Sequence, residues 1–186
     1  MKEKLLNYYM DVAERTAELS TARRLKVGAV IVKDDIMIPG YNGTFPGEDN
    51  NCEHEVMVDN VALKRRFMQV YRPTPDMIGE MIYFEDKYYM IGGEGDEYVT
   101  KYELYELITK SDVLHAEANA LGKLINSTLA SSGADLFMTH SPCMNCAINI
   151  ARAGIKNLYY RTKYRTDDGI KKLIERGVNV EQVRSN

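Results

Sequence analysis

Two short motifs in the second half of the chain combine the residue types that hold and use a catalytic metal. The first is His115-Ala116-Glu117, and the second is Pro142-Cys143-Met144-Asn145-Cys146. One imidazole and two thiolates are ligands of the borderline softness that suits zinc. Three protein ligands leave a fourth tetrahedral position for water, whereas four would indicate a structural site. The motifs therefore predict a catalytic zinc bound by His115, Cys143 and Cys146.

Glu117 follows the histidine by two residues and can reach over the open zinc position from the start of the same helix. A carboxylate there can take a proton from activated water and return it to a leaving group. Zinc lowers the pKa of its water from about 15.7 to about 7, so a nucleophile is available at neutral pH. We therefore predict that Glu117 is the general acid and base of a hydrolytic reaction.

Each of these residues alone has a simpler explanation. A histidine before an alanine-rich helix is commonly a cap or surface residue, a Cys-x-x-Cys pair can be a redox pair, and a first-turn glutamate commonly interacts with the helix dipole. The conjunction of His-x-Glu with a later Pro-Cys-x-x-Cys is instead the signature of zinc-dependent nucleobase deaminases. The combination favours the catalytic zinc.

Helix starts must position both motifs. A helix is predicted to begin close to His115, after Ser111-Asp112, and a second begins at Ser141-Pro142 after a buried strand over 136–139. Two cysteines three residues apart on a first helical turn point the same way, and the positive end of the helix dipole lowers their pKa. The predicted helix starts thus point both cysteines the same way and favour the thiolate form that a metal binds.

The remaining pattern predicts an α/β fold. We expect an amphipathic helix over 3–19, followed by a hairpin whose strands, 26–32 and 36–38, are joined by a turn at 34–35. After the second motif we expect a strand at 158–160, a helix over 168–176 and a strand over 178–183. Strands and helices in alternation imply parallel neighbours with right-handed crossovers. Between the hairpin and the motifs we expect a glycine-rich loop over 39–47, a helix over 56–70, a hairpin of 81–84 and 88–91, and a turn at 92–95. The whole is predicted to be one domain, 1–186, with an insertion at about 55–110.

Composition excludes several function classes. The chain has 186 residues, with 24 Lys plus Arg, 27 Asp plus Glu and a net charge of −3, so no global basic field holds a nucleic acid. No apolar window is long enough for a membrane span, and the N-terminus lacks the apolar core of a signal peptide. Three cysteines are too few for a disulfide scaffold. We expect a cytoplasmic protein, in the host cytoplasm if the gene is a phage's, with no nucleic-acid or membrane partner.

The sequence resembles the zinc-dependent cytidine/deoxycytidylate deaminase superfamily, and within it the deoxycytidylate (dCMP) deaminases of phage and eukaryotic type. The resemblance covers about two thirds of the chain and rests on these segments: Lys26-Val27-Gly28-Ala29-Val30-Ile31, Gly40-Tyr41-Asn42-Gly43, His115-Ala116-Glu117-Ala118-Asn119-Ala120, Ser141-Pro142-Cys143-Met144-Asn145-Cys146 and Lys163-Tyr164. It implies a three-layer α/β/α fold with a mixed five-stranded sheet and helices on both faces. It also implies hydrolytic deamination of dCMP, with dCTP left open as a substrate, to the deoxyuridine nucleotide and ammonia, which supplies dUMP for thymidylate synthesis.

The resemblance also assigns roles to residues beyond the zinc ligands and Glu117. It implies that the Ala116 backbone amide contacts the pyrimidine, that Asn42 binds the base or sugar, and that Thr44 and Tyr164 face the sugar and phosphate. Family members commonly form homohexamers that dCTP activates and dTTP inhibits. The effector residues implied here are Lys26, Gly28 and Gly43, and a triphosphate effector would bring Mg²⁺ with it.

The chain departs from the family at a second, structural zinc site. Positions 20 to 25 contain no cysteine, and Cys52 and His54 alone supply two ligands, so we predict one zinc per chain. Two other interpretations remain open. One is a non-catalytic module whose zinc is closed by Cys52, His54, Cys143 and Cys146. The other is a zinc deaminase acting on a base within RNA or DNA, with free nucleosides or guanine as further substrates in the superfamily.

Overall fold

The fold is described from a computed structural model, which covers residues 1–95, 100–125 and 127–184. Its elements in chain order are α1 (Glu3–Ala17), β1 (Gly28–Lys33), β2 (Ile36–Tyr41), β3 (Glu53–Met57), α2 (Val61–Tyr71), a 3₁₀ turn (Pro75–Met77), β4 (Met81–Phe84), β5 (Lys87–Gly95), β6 (Thr100–Thr109), α3 (Ala116–Ile125), β7 (Asp135–His140), α4 (Met144–Arg152), β8 (Asn157–Thr162), α5 (Asp168–Glu175) and β9 (Asn179–Gln182).

The chain divides into two compact units. The first unit consists of Met1–Thr21, Leu25–Asn50 and Val113–Asn186, and the second consists of Ala22–Arg24 and Asn51–Asp112. Both zinc-ligand motifs therefore lie in the first unit. The single domain with an insertion at about 55–110 stays a prediction.

A five-stranded sheet of order β2-β1-β7-β8-β9 forms the centre of the first unit. β1 is antiparallel to both β2 and β7, while β7, β8 and β9 run parallel. The alternation of strands and helices after the first motif predicted this parallel series correctly. The hairpin turns at Asp34 and Asp35, both in the left-handed region with φ of 49° and 63°, which suits the twist of a two-residue turn.

Successive residues of β1 point to opposite faces of this sheet, as the two-residue period of a strand requires. Ala29 and Ile31 pack in a core with residues of α3, α4 and α5. Val30 and Val32 pack in a second core with Tyr9, Met10 and Ala13 of α1. Helices thus cover both faces, and the predicted three-layer α/β/α class with a mixed five-stranded sheet is confirmed.

A four-stranded antiparallel sheet of order β3-β6-β5-β4 forms the second unit. Phe67 of α2 is fully buried and packs with Tyr89, Ile91 and Leu104 of the sheet. The predicted hairpin of 81–84 and 88–91 is confirmed, with its turn at 85–86. Three other expectations for this segment are wrong: the helix begins at Val61 and not at 56, residues 92–95 continue β5 and form no turn, and β6 was not foreseen.

No helix within residues 1–95, 100–125 and 127–184 has the length and apolar character needed to cross a bilayer.

Candidate active site

The three predicted zinc ligands converge at the starts of two neighbouring helices. His115 immediately precedes α3, and Cys143 is the residue that caps the N-terminus of α4. The His115 Nδ1 atom lies 3.3 Å from the Cys146 sulfur and 3.8 Å from the Cys143 sulfur. All three ligand atoms lie within 4.8 Å of one another. These separations are those of atoms that share one tetrahedral metal ion with bonds of about 2.0–2.3 Å.

The loop between β7 and α4 is held so that the cysteines face the histidine. The backbone N–H of Ser141 donates to the Thr162 carbonyl at 2.9 Å, and the Ser141 hydroxyl accepts from the Tyr164 N–H at 2.8 Å. Gly169, near the start of α5, lies so close to this loop that an added Cβ would clash with the Pro142 carbonyl. Hydrogen bonds and close backbone packing thus fix where α4 begins.

Hydrogen bonding makes the two cysteine thiols differ in pKa. Hydrogen bonding from Cys146 and from His115 lowers the pKa of the Cys143 thiol to about 3. The same hydrogen bond, together with burial, raises the pKa of the Cys146 thiol. The hydrogen bond to Cys143 also raises the pKa of His115, against the opposing effect of its burial. Both thiols would be deprotonated as ligands of a divalent cation.

Glu117 is the buried carboxyl group of this site. It lies in the first turn of α3, and only 3% of the residue is exposed. Burial raises its pKa above the usual value, while a hydrogen bond with Cys146 acts in the opposite direction. A carboxyl group whose protonated form is favoured by burial is suited to both accept and return a proton near neutral pH.

A segment at the end of β2 is tied to the residue before His115. Gly43 and Leu114 exchange two backbone hydrogen bonds, of 3.1 and 2.8 Å. The Asn42 side chain accepts from the Val27 N–H at 2.7 Å and donates to the Leu25 carbonyl at 2.9 Å. We call Tyr41, Asn42 and Gly43 the strap. The structure therefore brings the strap to the start of α3, as substrate binding by Asn42 would require.

Comparison with known proteins identifies the family. Residues 3–162 match the cytidine and deoxycytidylate deaminase zinc-binding region. The chain is 30% identical to the deoxycytidylate deaminase of Enterobacteria phage T2 over 162 residues, covering 83% of this chain and 78% of the relative. The chain belongs to the cytidine and deoxycytidylate deaminase family. The predicted resemblance is thereby confirmed.

Two further similar proteins align over nearly the whole of this chain. ComE operon protein 2 of Bacillus subtilis is 29% identical over 182 residues, covering 95% of this chain and 69% of the relative. The crystal structure of dCMP deaminase from the cyanophage S-TIM5, in complex with dCMP and dUMP, superposes with a TM-score of 0.67 at 34% identity. It covers 98% of this chain and 99% of that one.

The donor set fits zinc, the metal of this family. Among the residues that the structure describes, His115, Cys143 and Cys146 are the one group of three or more that could hold a metal ion, and neither Cys52 nor His54 belongs to it. Cys52 is buried just before β3, and His54 is exposed on that strand, in the second unit. The closed site of the alternative zinc module therefore finds no support in the geometry.

The other residues that the resemblance implies are placed as follows. Ala116 is fully buried at the start of α3, Thr44 follows the strap, and Tyr164 is half-buried in the loop after β8. Lys26 is exposed and lies between Leu25 and Val27, whose backbone groups hydrogen-bond with the Asn42 side chain. Gly28 is buried, its N–H donates to the Thr139 hydroxyl at 3.1 Å, and an added Cβ would clash with the Ala13 carbonyl of α1. Their roles in substrate and effector binding stay predictions.

Sequence reasoning missed residues that position the site through backbone contacts. At Gly40 an added Cβ would clash with the Ala116 carbonyl, so this glycine lets β2 approach α3 closely. Asn119 donates from Nδ2 to the Tyr41 carbonyl at 2.9 Å. Both lie within segments that carry the family resemblance. Only the periodicity of α3, which puts Asn119 one turn after His115, could have indicated that the asparagine shares the histidine's face.

Proposed function

We propose that this protein is a zinc-dependent deoxycytidylate deaminase, which converts dCMP to dUMP and ammonia. The observation that carries the proposal is the convergence of His115, Cys143 and Cys146, with the buried carboxyl group of Glu117 hydrogen-bonded to Cys146. The phage T2 relative, which is a deoxycytidylate deaminase, and the S-TIM5 enzyme crystallised with dCMP and dUMP support the choice of substrate.

In this proposal His115, Cys143 and Cys146 hold one zinc ion per chain. Zinc bound there would supply a Lewis acid that lowers the pKa of a water molecule. Glu117 accepts the proton that the water loses as it attacks C4 of the cytosine ring. It delivers that proton to N3 of the ring and then carries the remaining hydroxyl proton to the exocyclic nitrogen, which leaves as ammonia while C4 keeps a carbonyl oxygen. The raised pKa of Glu117 favours the protonated state that the second step needs.

The nucleotide is bound by residues around this centre. The Ala116 backbone amide contacts the pyrimidine, and Asn42 contacts the base or sugar. The Asn42 amide already makes one hydrogen bond through each of its polar atoms, which leaves one N–H and one lone pair for a ligand. Thr44 and Tyr164 face the sugar and phosphate.

Glu117→Gln tests the mechanism because glutamine keeps the size of the side chain but cannot carry the proton. General acid–base catalysis contributes roughly 10²–10⁴-fold to a rate, so kcat for dCMP should fall by at least about 100-fold. Zinc content, measured by metal analysis, should not change. Turnover that survives the substitution would contradict the proposal, and so would loss of the zinc along with the activity.

A parallel assay separates the substrates. Purified protein is incubated with dCMP, dCTP, deoxycytidine and single-stranded DNA, and ammonia release is measured. Release from dCMP supports the proposal. Release from DNA alone would favour a deaminase of a base within a polymer, and no release from any substrate would favour the non-catalytic zinc module.

We extend the proposal to regulation. The enzyme is a cytoplasmic homohexamer that supplies dUMP for thymidylate synthesis, activated by dCTP with Mg²⁺ and inhibited by dTTP. Lys26, Gly28 and Gly43 contact the effector. A coupling free energy of about 1–3 kcal/mol between the sites predicts a sigmoidal response to dCMP that dCTP makes hyperbolic and dTTP makes steeper. Hyperbolic kinetics that ignore both nucleotides would remove the regulatory part and leave the chemistry intact.

A further inference from the structure

One side chain of the helix that carries Glu117 makes a direct hydrogen bond to the strap. The Asn119 Nδ2 atom donates to the Tyr41 carbonyl at 2.9 Å. Asn119 lies one helical turn after His115, and its backbone N–H donates to the His115 carbonyl at 2.9 Å. The same residue is thus bonded to the proposed zinc ligand through its backbone and to the strap through its side chain.

We infer that Asn119 is a positioning residue, which fixes the strap relative to Glu117 and so places Asn42 for nucleotide binding. This inference rests on the proposed deaminase function. In this scheme Asn119 acts through the strap and does not itself touch the reacting atoms.

The other contacts of the strap do not fix its position relative to α3. Gly40 lets β2 lie against α3, but a contact without a side chain is not directional and does not define how far the strand can slide. The Asn42 bonds and the Ser20 hydroxyl, which donates to the Asn42 carbonyl at 2.7 Å, tie the strap to the segments before β1. The Gly43 pair with Leu114 ends just before His115. From within α3, Lys123 only approaches the Tyr41 ring, at 6.0 Å from its centre, whereas Asn119 makes a directional hydrogen bond to the strap.

A small displacement is enough to affect binding. Misplacement of a reacting or binding group by about 1 Å can cost about 100-fold in rate, and loss of one hydrogen bond alone is worth roughly 10-fold in an equilibrium constant. Since Glu117 stays on α3 while Asn42 moves with the strap, loss of the Asn119 bond should weaken nucleotide binding more than it slows the chemical step.

The test compares Asn119→Asp with Lys123→Met. Aspartate has the shape of asparagine but places an acceptor opposite the Tyr41 carbonyl. Lys123 is the matched control, because its Nζ donates from the same helix to a carbonyl of the same strand, that of Pro39, at 2.6 Å. Its approach to the strap is limited to 6.0 Å between Nζ and the centre of the Tyr41 ring, the outer limit of a cation–π contact. We expect Asn119→Asp to raise KM for dCMP about 10-fold, to change kcat less than about 3-fold and to retain zinc. Lys123→Met should leave all three unchanged.

A second variant and a measurement without turnover keep the inference testable if the aspartate variant does not fold. Asn119→Ala removes the donor with a residue that favours helix, and the same KM change should appear in smaller degree. Hydrogen exchange of the Gly43 amide should be faster in Asn119→Ala than in the wild type, and unchanged in Lys123→Met.

An unchanged KM in both Asn119 variants would overturn the inference, and so would equal effects at Lys123. If the wild-type protein releases no ammonia from dCMP, the proposed function fails. Amide exchange at Gly43 still reports then whether Asn119 holds the strap.

Discussion

At the scale of single residues, Glu53 has the most buried carboxylate among those residues of the second unit that the structure describes. Its side chain is 1% exposed, and its oxygens accept from the backbone N–H groups of Arg23 and Arg24 at 3.2 Å. The Arg23 guanidinium lies 3.7 Å away. A buried carboxylate with this many donors joins residues 22–24 to β3, although those residues are distant from β3 in the sequence.

Glu53→Gln should therefore destabilise the second unit. The amide has one acceptor oxygen in place of two and turns its N–H groups toward backbone donors, which leaves buried groups without partners. We expect the free energy of unfolding to fall by about 2 kcal/mol, measured by urea denaturation. Glu18→Gln is the control, because Glu18 pairs with Arg15 on an exposed surface and such pairs contribute little. Equal losses in both variants would contradict this assignment.

The residues of the candidate site differ in how readily their residue types allow them to be predicted from the sequence. His115, Glu117, Cys143 and Cys146 could be found from the sequence because few other combinations of side chains hold zinc beside a carboxylate. Asn119 could not, since its partner is a backbone carbonyl, which every residue has. A hydrogen bond of this kind depends on which segments meet in space, and the pattern along α3 indicates only the face that Asn119 occupies.

At the scale of secondary-structure elements, the packing of α3 against β2 can be tested with two glycines, Gly40 in β2 and Gly122 in α3. An added Cβ at Gly40 would clash with the Ala116 carbonyl, whereas at Gly122, within α3, it would meet nothing within 4 Å. Gly40→Ala should lower the free energy of unfolding by roughly 3 kcal/mol. Gly122→Ala should raise it by about 0.5–1 kcal/mol, because alanine restricts the unfolded chain and favours helix. Thermal denaturation of both variants checks the two signs, and destabilisation by Gly122→Ala would show that the helix is more closely packed there.

The elements were foreseen best where the pattern has only one interpretation. The first hairpin and the alternating strands and helices after His115 have uninterrupted apolar runs bounded by turn residues, and the structure confirms them. The predicted loop over 39–47 is wrong at its start, because β2 continues to Tyr41 in pairing with β1. In the second unit, Val56 and Met57 fit a helix by periodicity but lie in β3, because pairing with Glu106 and Tyr105 of β6 decides their conformation. Residues 92–95 have the glycines of a turn, yet Gly92 and Gly93 pair with Glu103 and Tyr102. Long-range pairing of this kind has no local signal.

At the scale of the whole molecule, the proposed zinc joins parts of the first unit that are far apart in the sequence. His115 precedes α3, while the cysteines lie at the start of α4, and β7 separates the two helices. The unfolded chain does not hold these ligands together, so the binding free energy of the metal contributes to folding.

Removal of the zinc should therefore lower the thermal stability. A ligand present at about 1,000 times its Kd stabilises the native state by about 4 kcal/mol, which for a chain of this size shifts the midpoint by roughly 10 °C. Calorimetry with and without a chelator measures the shift, with metal analysis to verify removal.

Cys143→Ser is the control, because a variant that has lost one ligand holds little zinc and its midpoint should not respond to the chelator. Amide exchange should increase at the starts of α3 and α4 more than in the β5–β6 pairs of the second unit, which contains none of the proposed ligands. A wild-type midpoint that stays constant after verified loss of zinc would mean that these side chains are held together by the protein fold alone.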